Sequence, residues 1–156
     1  MRTAQATEMT TNPKLPQSVL FVCTLNSIRS PMAEALMKKQ FGQDIYIQSC
    51  GISTGELNQL MVNILSEVGI DKSKHISRAL EEISDTSFDL VIAFTKDAGE
   101  AAKAIFDDSD TEIEVWPLPD PTEGAHDVRA MMNNYRSLRE NIDMRLKRRF
   151  SAAENT

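Results

Sequence analysis

The sequence predicts an α/β fold, a three-layer sandwich in which a four-stranded parallel sheet is flanked by helices on both faces. Three observations carry this. Short apolar runs rich in β-branched and aromatic residues recur along the chain, segments with helical spacing of their apolar residues lie between them, and Gly, Pro or Ser marks the changes from one to the other. Strands that alternate with helices are joined by right-handed crossovers and therefore lie parallel.

The opening stretch to about Gln17 is rich in Thr, Asn, Pro and Gln without hydrophobic periodicity, and reads as a flexible tail that enters no core. Val19-Leu20-Phe21-Val22 has the pattern of a strand buried on both faces. A loop carries Cys23 to Arg29, after which Ser30-Pro31 reads as N-cap and first helical position, and the helix continues through Met32, Ala35, Leu36 and Lys39 to a stop at Gly42. Ile45 to Ser49 is the second strand, and about Leu57 to Val68 the second helix, with Leu60, Ile64, Leu65 and Val68 on one face and Gly69 ending it. Phe88 to Phe94 is the third strand, Lys96 to about Phe106 the third helix, and Ile113 to Trp116 the fourth strand, before a proline-rich turn. An amphipathic helix from about Asp127 to Phe150, with Met131, Tyr135, Leu138, Ile142 and Leu146 on its apolar stripe, closes the domain. The expected organisation is a tail at 1–17, one domain at 18–150 and a short C-terminal tail at 151–156; no internal repeat is visible.

A chain of 156 residues, 41% hydrophobic and 26% charged, suits one compact domain. Its net charge of −6 disfavours a broad grip on nucleic acid or on an acidic membrane, while leaving room for a local anion site. Met1 to Ser18 contain no apolar run fit for a signal peptide or a span, so a cytoplasmic protein is expected. The two cysteines, Cys23 and Cys50, and two histidines, His75 and His126, offer no zinc spacing, and neither a metal nor another cofactor is expected. The expected assembly is a monomer or a weak homodimer.

Ligands of open parallel sheets bind at the carboxyl ends of the strands, and the first strand-to-helix turn is the favoured anion site. Here that turn is Cys23-Thr24-Leu25-Asn26-Ser27-Ile28-Arg29-Ser30. Its backbone N–H groups, curled over a helix start, suit phosphate oxygens, and Arg29 adds a bidentate, permanently charged clamp. The same positive field favours the thiolate of Cys23; in comparable settings a thiol falls from about 8.5 to roughly 3.5–7.5. Ser30 is placed to donate a hydrogen bond to it.

The run Val-Leu-Phe-Val-Cys-Thr-Leu-Asn-Ser-Ile-Arg-Ser-Pro-Met-Ala-Glu-Ala resembles the signature of the low-molecular-weight protein tyrosine phosphatases. Ser49-Cys50-Gly51 resembles the family's Ser-Ala-Gly, His75 to Arg78 its His-x-Ser/Ala-Arg stretch, and Asp120-Pro121 its late Asp-Pro, all in the family's order. The resemblance implies hydrolysis of phosphate monoesters, phosphorylated proteins or small phosphate esters, through a cysteinyl-phosphate. It makes Cys23 the nucleophile, Arg29 the ligand of the phosphate and transition state, and Asp120 the general acid, then base toward water. It also places Asn26, Ser30, Ser49 and His75 in a network that shapes the loop, Asn26 being a residue that tolerates left-handed φ.

Four departures from the family bear on specificity. Leu25 stands where Gly is usual, making the rim bulkier, and Ile28 where a second Cys is usual, removing the customary disulfide partner of the nucleophile, a role Cys50 takes only if it reaches. Thr122 replaces the Tyr after Asp-Pro, and Ile52 to Leu57 supply no ring for the opposite wall. Trp116 is the remaining candidate for a replacement ring, with a core position as its plainer use. Phosphotyrosine is the family's substrate, but Thr24 directly after the nucleophile resembles the arginine-phosphatase and arsenate-reductase branches, which leaves a phosphoarginine phosphatase, a thiol-coupled arsenate reductase and a non-catalytic phosphate-binding module as alternatives. The basic run Arg145 to Arg149 reads most simply as the last turns of a helix whose dipole it complements.

Overall fold

The computed structural model describes residues 15–83, 87–107 and 109–154. Strands β1 (Ser18–Cys23), β2 (Tyr46–Gly51), β3 (Leu90–Ala93) and β4 (Glu112–Val115) form one sheet, parallel throughout, in the spatial order β2-β1-β3-β4. Helices α1 (Arg29–Phe41), α2 (Gln59–Ser66), α3 (Lys96–Phe106) and α4 (Val128–Glu154) connect and follow them, with a 3-10 turn at Leu80–Ile83. The chain grows from β1 to one side, then returns to continue on the other. This reversal places a crevice at the carboxyl end of β1, where such sheets bind ligands.

The central position of β1 explains its unbroken apolar run. Val19, Phe21 and Cys23 join the core built with α1, α2 and α4, while Leu20 and Val22 join a second core with α3 and the 3-10 turn. Phe21 stacks on Phe94 with ring centroids 5.8 Å apart and planes 8° apart. Trp116 lies 6.3 Å from Phe94 and is only 7% exposed, with Arg145 over its outer face at 4.9 Å. Its ring therefore belongs to the core and does not replace a missing wall.

Several boundaries differ from the sequence reading, each for a local reason. Helix α1 begins at Arg29, with Ile28 at the capping position and no side-chain cap. Ser30 is inside the first turn because its hydroxyl is engaged with Cys23 and Asn26. Helix α2 starts later than Leu57 because Asn58 takes the cap, accepting from the Met61 N–H at 2.8 Å. It closes before Gly69, whose φ of 81° is a left-handed conformation that suits glycine. The segment counted as a tail is engaged before residue 18: Leu15 packs against the first core, and Gln17 donates its N–H to Asp89 at 2.8 Å and accepts from Tyr46 N–H at 2.9 Å. At the other end α4 runs past Phe150 to Glu154. The rest of the expected N-terminal tail, residues 1–14, lies outside the described residues, as do 155 and 156.

Candidate active site

Cys23 ends β1, 2% exposed, and its Sγ lies 2.8 Å from the hydroxyl of Ser30 on the first turn of α1. Between them the loop turns through Asn26, which adopts φ 56°. Asn26 holds that shape with its whole side chain. Its Nδ2 donates to Ser30 Oγ and to Ser49 Oγ, each at 2.9 Å, and its Oδ1 accepts from the Arg78 N–H at 2.9 Å. Its carbonyl meets Nε2 of His75 at 2.8 Å, so Asn26, Ser30, Ser49 and His75 do converge. Burial lowers the His75 pKa, partly offset by this bond to Asn26, which favours a neutral ring donating from Nε2.

A second clamp comes from the segment after β2. Ile52 and Ser53 donate their N–H groups to the carbonyls of Cys23 and Thr24, each at 3.0 Å. The approach requires Gly51, since a Cβ there would lie 2.4 Å from the Ser53 carbonyl oxygen and 2.7 Å from the Asn26 nitrogen. Among the described residues, the backbone N–H groups of residues 24–28 donate to no other protein group, which leaves them available to an anion at the helix start.

Thr24, Leu25, Ser27, Ile28 and Arg29 line a cavity of about 160 Å³ together with Cys23 and Asp120. None of these lining residues carries an aromatic ring. Arg29 is braced by donating to the Leu118 carbonyl at 3.0 Å, which ties the loop to the segment that brings Asp120 over the cavity. That segment is anchored in turn by Asn134, which donates to the Pro121 carbonyl at 3.1 Å. Asp120 Oδ1 accepts from the Thr122 N–H at 2.9 Å and the Thr122 hydroxyl at 2.7 Å. Burial alone would raise the Asp120 pKa, but the two Thr122 bonds and the Arg29 charge outweigh it and hold the carboxyl below its ordinary range. Asp127, the alternative acid, caps α4 by accepting from the Ala130 N–H at 2.8 Å and does not line the cavity.

Cys50 lies on the other side of the sheet. In register it sits beside Val22, while Cys23 pairs with Gly51, and its side chain packs with Leu20, Val22 and Ala93. Burial, helped by the neighbouring Cys23, pushes its thiol up to about 12. It is a packed residue, and the sheet separates it from the cavity.

Contributors absent from the sequence reading include the Leu118 carbonyl, the Arg78 N–H and Glu34, whose Oε1 accepts from Ser49 Oγ at 2.6 Å. The first two are backbone groups and leave no residue signature. Glu34 does leave one, a charged residue amid Met32, Ala33, Ala35, Leu36 and Met37 on a helix that buries nine of its thirteen positions.

A thiol, a fixed cation and a carboxyl facing one small cavity at the carboxyl end of a parallel sheet define a cysteine-dependent phosphatase. The chain belongs to the low molecular weight phosphotyrosine protein phosphatase family, whose model matches residues 18–154, and with it to the hydrolases. Its relatives span more than one chemistry. An arsenate reductase of Bacillus licheniformis is 32% identical over 132 residues, 85% of this chain and 94% of that one. The YwlE arginine phosphatase of Bacillus subtilis, seen as a cysteine-to-serine mutant with that active-site serine phosphorylated, is 25% identical with a TM-score of 0.70, covering 88% of this chain and 94% of that one. A low molecular weight protein tyrosine phosphatase from T. tengcongensis is 25% identical with a TM-score of 0.72, covering 86% of this chain and 98% of that one.

Proposed function

We propose that this chain removes phosphoryl groups from phosphorylated protein side chains in two steps at the Cys23–Ser30 loop. In the first step the Cys23 thiolate attacks phosphorus, the bond from phosphorus to the leaving oxygen or nitrogen breaks, and Asp120, whose carboxyl the negative charge of the bound phosphate pushes back toward its protonated form, gives that atom its proton. In the second, water attacks the cysteinyl-phosphate, Asp120 takes a proton from it, and the sulfur–phosphorus bond breaks to return the thiolate. Arg29 and the loop N–H groups hold the equatorial oxygens throughout. The observation that carries this reading is the convergence of Cys23, Arg29 and Asp120 on one cavity of about 160 Å³.

Phosphotyrosine is the family's substrate class, and one observation favours a second reading. The cavity is lined by aliphatic and hydroxyl side chains, and Thr122, where a ring would stand, is turned back onto Asp120. Two missing ring contacts, about 1 kcal/mol each, correspond to roughly ten- to a hundredfold in kcat/KM. That supports phosphoarginine or a compact phosphate ester over phosphotyrosine. An arsenate reductase with an internal thiol relay draws less support, because Cys50 faces the opposite core; this chain would need an external thiol. A non-catalytic phosphate module draws less still, since thiol, cation and carboxyl are all in place.

The proposal extends to a cytoplasmic protein that works without metal or cofactor as a monomer or weak homodimer. The net charge of −6 supports partners other than nucleic acid or acidic membrane, and among the described residues no helix is long and apolar enough to cross a membrane. The test compares kcat/KM on phosphotyrosine and phosphoarginine peptides of matched sequence, with Cys23→Ser alongside. Turnover must vanish in Cys23→Ser; full activity there would end the mechanism. Phosphotyrosine hydrolysis at rates typical of well-evolved enzymes would end the second reading.

A further inference from the structure

Leu25 and Gly55 meet at the rim of the cavity. Leu25 lines the cavity and is 45% exposed, and Gly55 belongs to the segment from Ile52 to Leu57 that supplies no ring. A Cβ built on Gly55 would fall 3.1 Å from the Leu25 Cβ, 3.5 Å from its Cδ1 and 2.5 Å from the Ser27 hydroxyl. Gly55 does not have a positive φ, so glycine stands there for space and not for backbone conformation. Its place is fixed by Ser77, whose Oγ donates to the Gly55 carbonyl at 2.6 Å and accepts from its N–H at 3.1 Å. The Ser53 N–H, bonded to the Thr24 carbonyl at 3.0 Å, ties the same segment to the loop. Leu25 therefore stands at the opening with a held backbone against it.

The far side of the cavity offers no ring either, since Thr122 is folded onto Asp120. A phosphorylated side chain leaving the loop thus meets a branched aliphatic group. An aryl ester is rigid beyond its ester oxygen, so its ring cannot bend round that group, and a leucine presents no flat face for stacking. A methylene stem can turn at each bond and lie along the leucine, removing apolar surface of both from water.

We infer that Leu25 is a specificity-determining residue: held against Gly55, it forms an aliphatic wall that selects phosphorylated side chains with a flexible methylene stem, as phosphoarginine has, over aryl esters. The inference rests on the phosphatase reading, with the Cys23 loop as the phosphate site. It places the choice of stem two residues from the nucleophile, on the loop itself.

The experiment measures kcat/KM on phosphoarginine and phosphotyrosine peptides of matched sequence in the full chain, in Leu25→Ala and in Leu25→Met, with Tm for each. A general loosening of the loop lowers both rates and cancels in their ratio. Leu25→Ala should cut the ratio of phosphoarginine to phosphotyrosine about tenfold. Leu25→Met, which keeps an aliphatic wall of similar volume, should hold it within about threefold. An unmoved ratio in Leu25→Ala overturns the inference, as does a Leu25→Met ratio that falls equally far. Should Leu25→Ala not fold, Leu25→Thr takes its place and must cut the ratio likewise. Gly55→Ala should lower Tm more in the native chain than in Leu25→Gly, where the added methyl meets no Cβ; equal losses would remove Leu25 from that support and overturn the inference. A native protein that hydrolyses phosphotyrosine but not phosphoarginine overturns it while the phosphatase reading stands. One that hydrolyses neither peptide nor a small aryl phosphate overturns the phosphatase reading, and this inference with it.

Discussion

Asn26→Ala tests whether the loop is held by its own side chains. Asn26 is fully buried and makes three side-chain hydrogen bonds, to Ser30, Ser49 and the Arg78 N–H, at a φ of 56°. Each such bond is worth about 1 kcal/mol net, and alanine in a left-handed conformation costs about 1 kcal/mol more. The sum of about 4 kcal/mol is an upper figure, because the Ser30 hydroxyl can turn fully to the Cys50 carbonyl at 3.2 Å. A domain of this size typically has about 5–15 kcal/mol in hand, so the variant should fold with a clearly lowered urea midpoint. Activity should fall further than stability, by more than about tenfold in kcat/KM, since the cradle and the donor to Cys23 both loosen. Urea unfolding and steady-state kinetics on an aryl phosphate give the two numbers. A loss below about 1 kcal/mol, with kcat/KM within about threefold of the native protein, would refute the idea that Asn26 organises the site.

The other predictions concern the carboxyl and its clamp. Asp120→Asn should lower kcat/KM for phenyl phosphate far more than for an ester of an acidic phenol, because only the first leaving group needs a proton; equal losses would show that Asp120 is structural. Thr122→Ala removes a 2.7 Å bond that holds Asp120 ionised, so the carboxyl pKa rises and the alkaline limb of kcat/KM moves to higher pH. An unmoved limb would separate Asp120 from that titration. For stability the sign is opposite: the depressed Asp120 pKa contributes above the ordinary carboxylate range and is lost as pH falls through the lowered value, so Thr122→Ala should unfold less steeply with acid. Gly51→Ala should lower Tm and activity together, because the added methyl meets backbone at 2.4 Å; a native-like Tm would mean the segment after β2 yields easily.

The fold was legible because its signals are local and repeated. The run from Val19 to Val22 marks a central strand without knowledge of its neighbours, and Lys96 to Phe106 appears as read, with Thr95 accepting from the Ala98 N–H as its cap. Errors arose where a tertiary partner competes with a local preference. Ser30 before Pro31 is a good capping pair, yet the structure assigns that hydroxyl to Cys23 and Asn26 instead. Leu15 and Gln17 sit in a polar segment and are held by contacts to residues far along the chain. In the site, Cys23 and Arg29 stood out by residue type and spacing, and Asp120 by the resemblance of Asp120-Pro121 to the family's late Asp-Pro. Cys50 did not resolve, because its face depends on strand register: beside Val22 it points away from the cavity, one residue along it would point toward it. The brace on Arg29 is a carbonyl, and Glu34 gains its meaning only once Ser49 and Lys72 are seen against it.

The most direct test of the account is the covalent intermediate. Asp120→Asn mixed with an ester of an acidic phenol should complete the first step and stall in the second, where water needs a base. Acid quenching and peptide mapping should then find one phosphoryl group per chain on the peptide containing Cys23, matched by a burst of about one phenol per enzyme. Steady release of phenol without a burst, and with Cys23 unmodified, would contradict it.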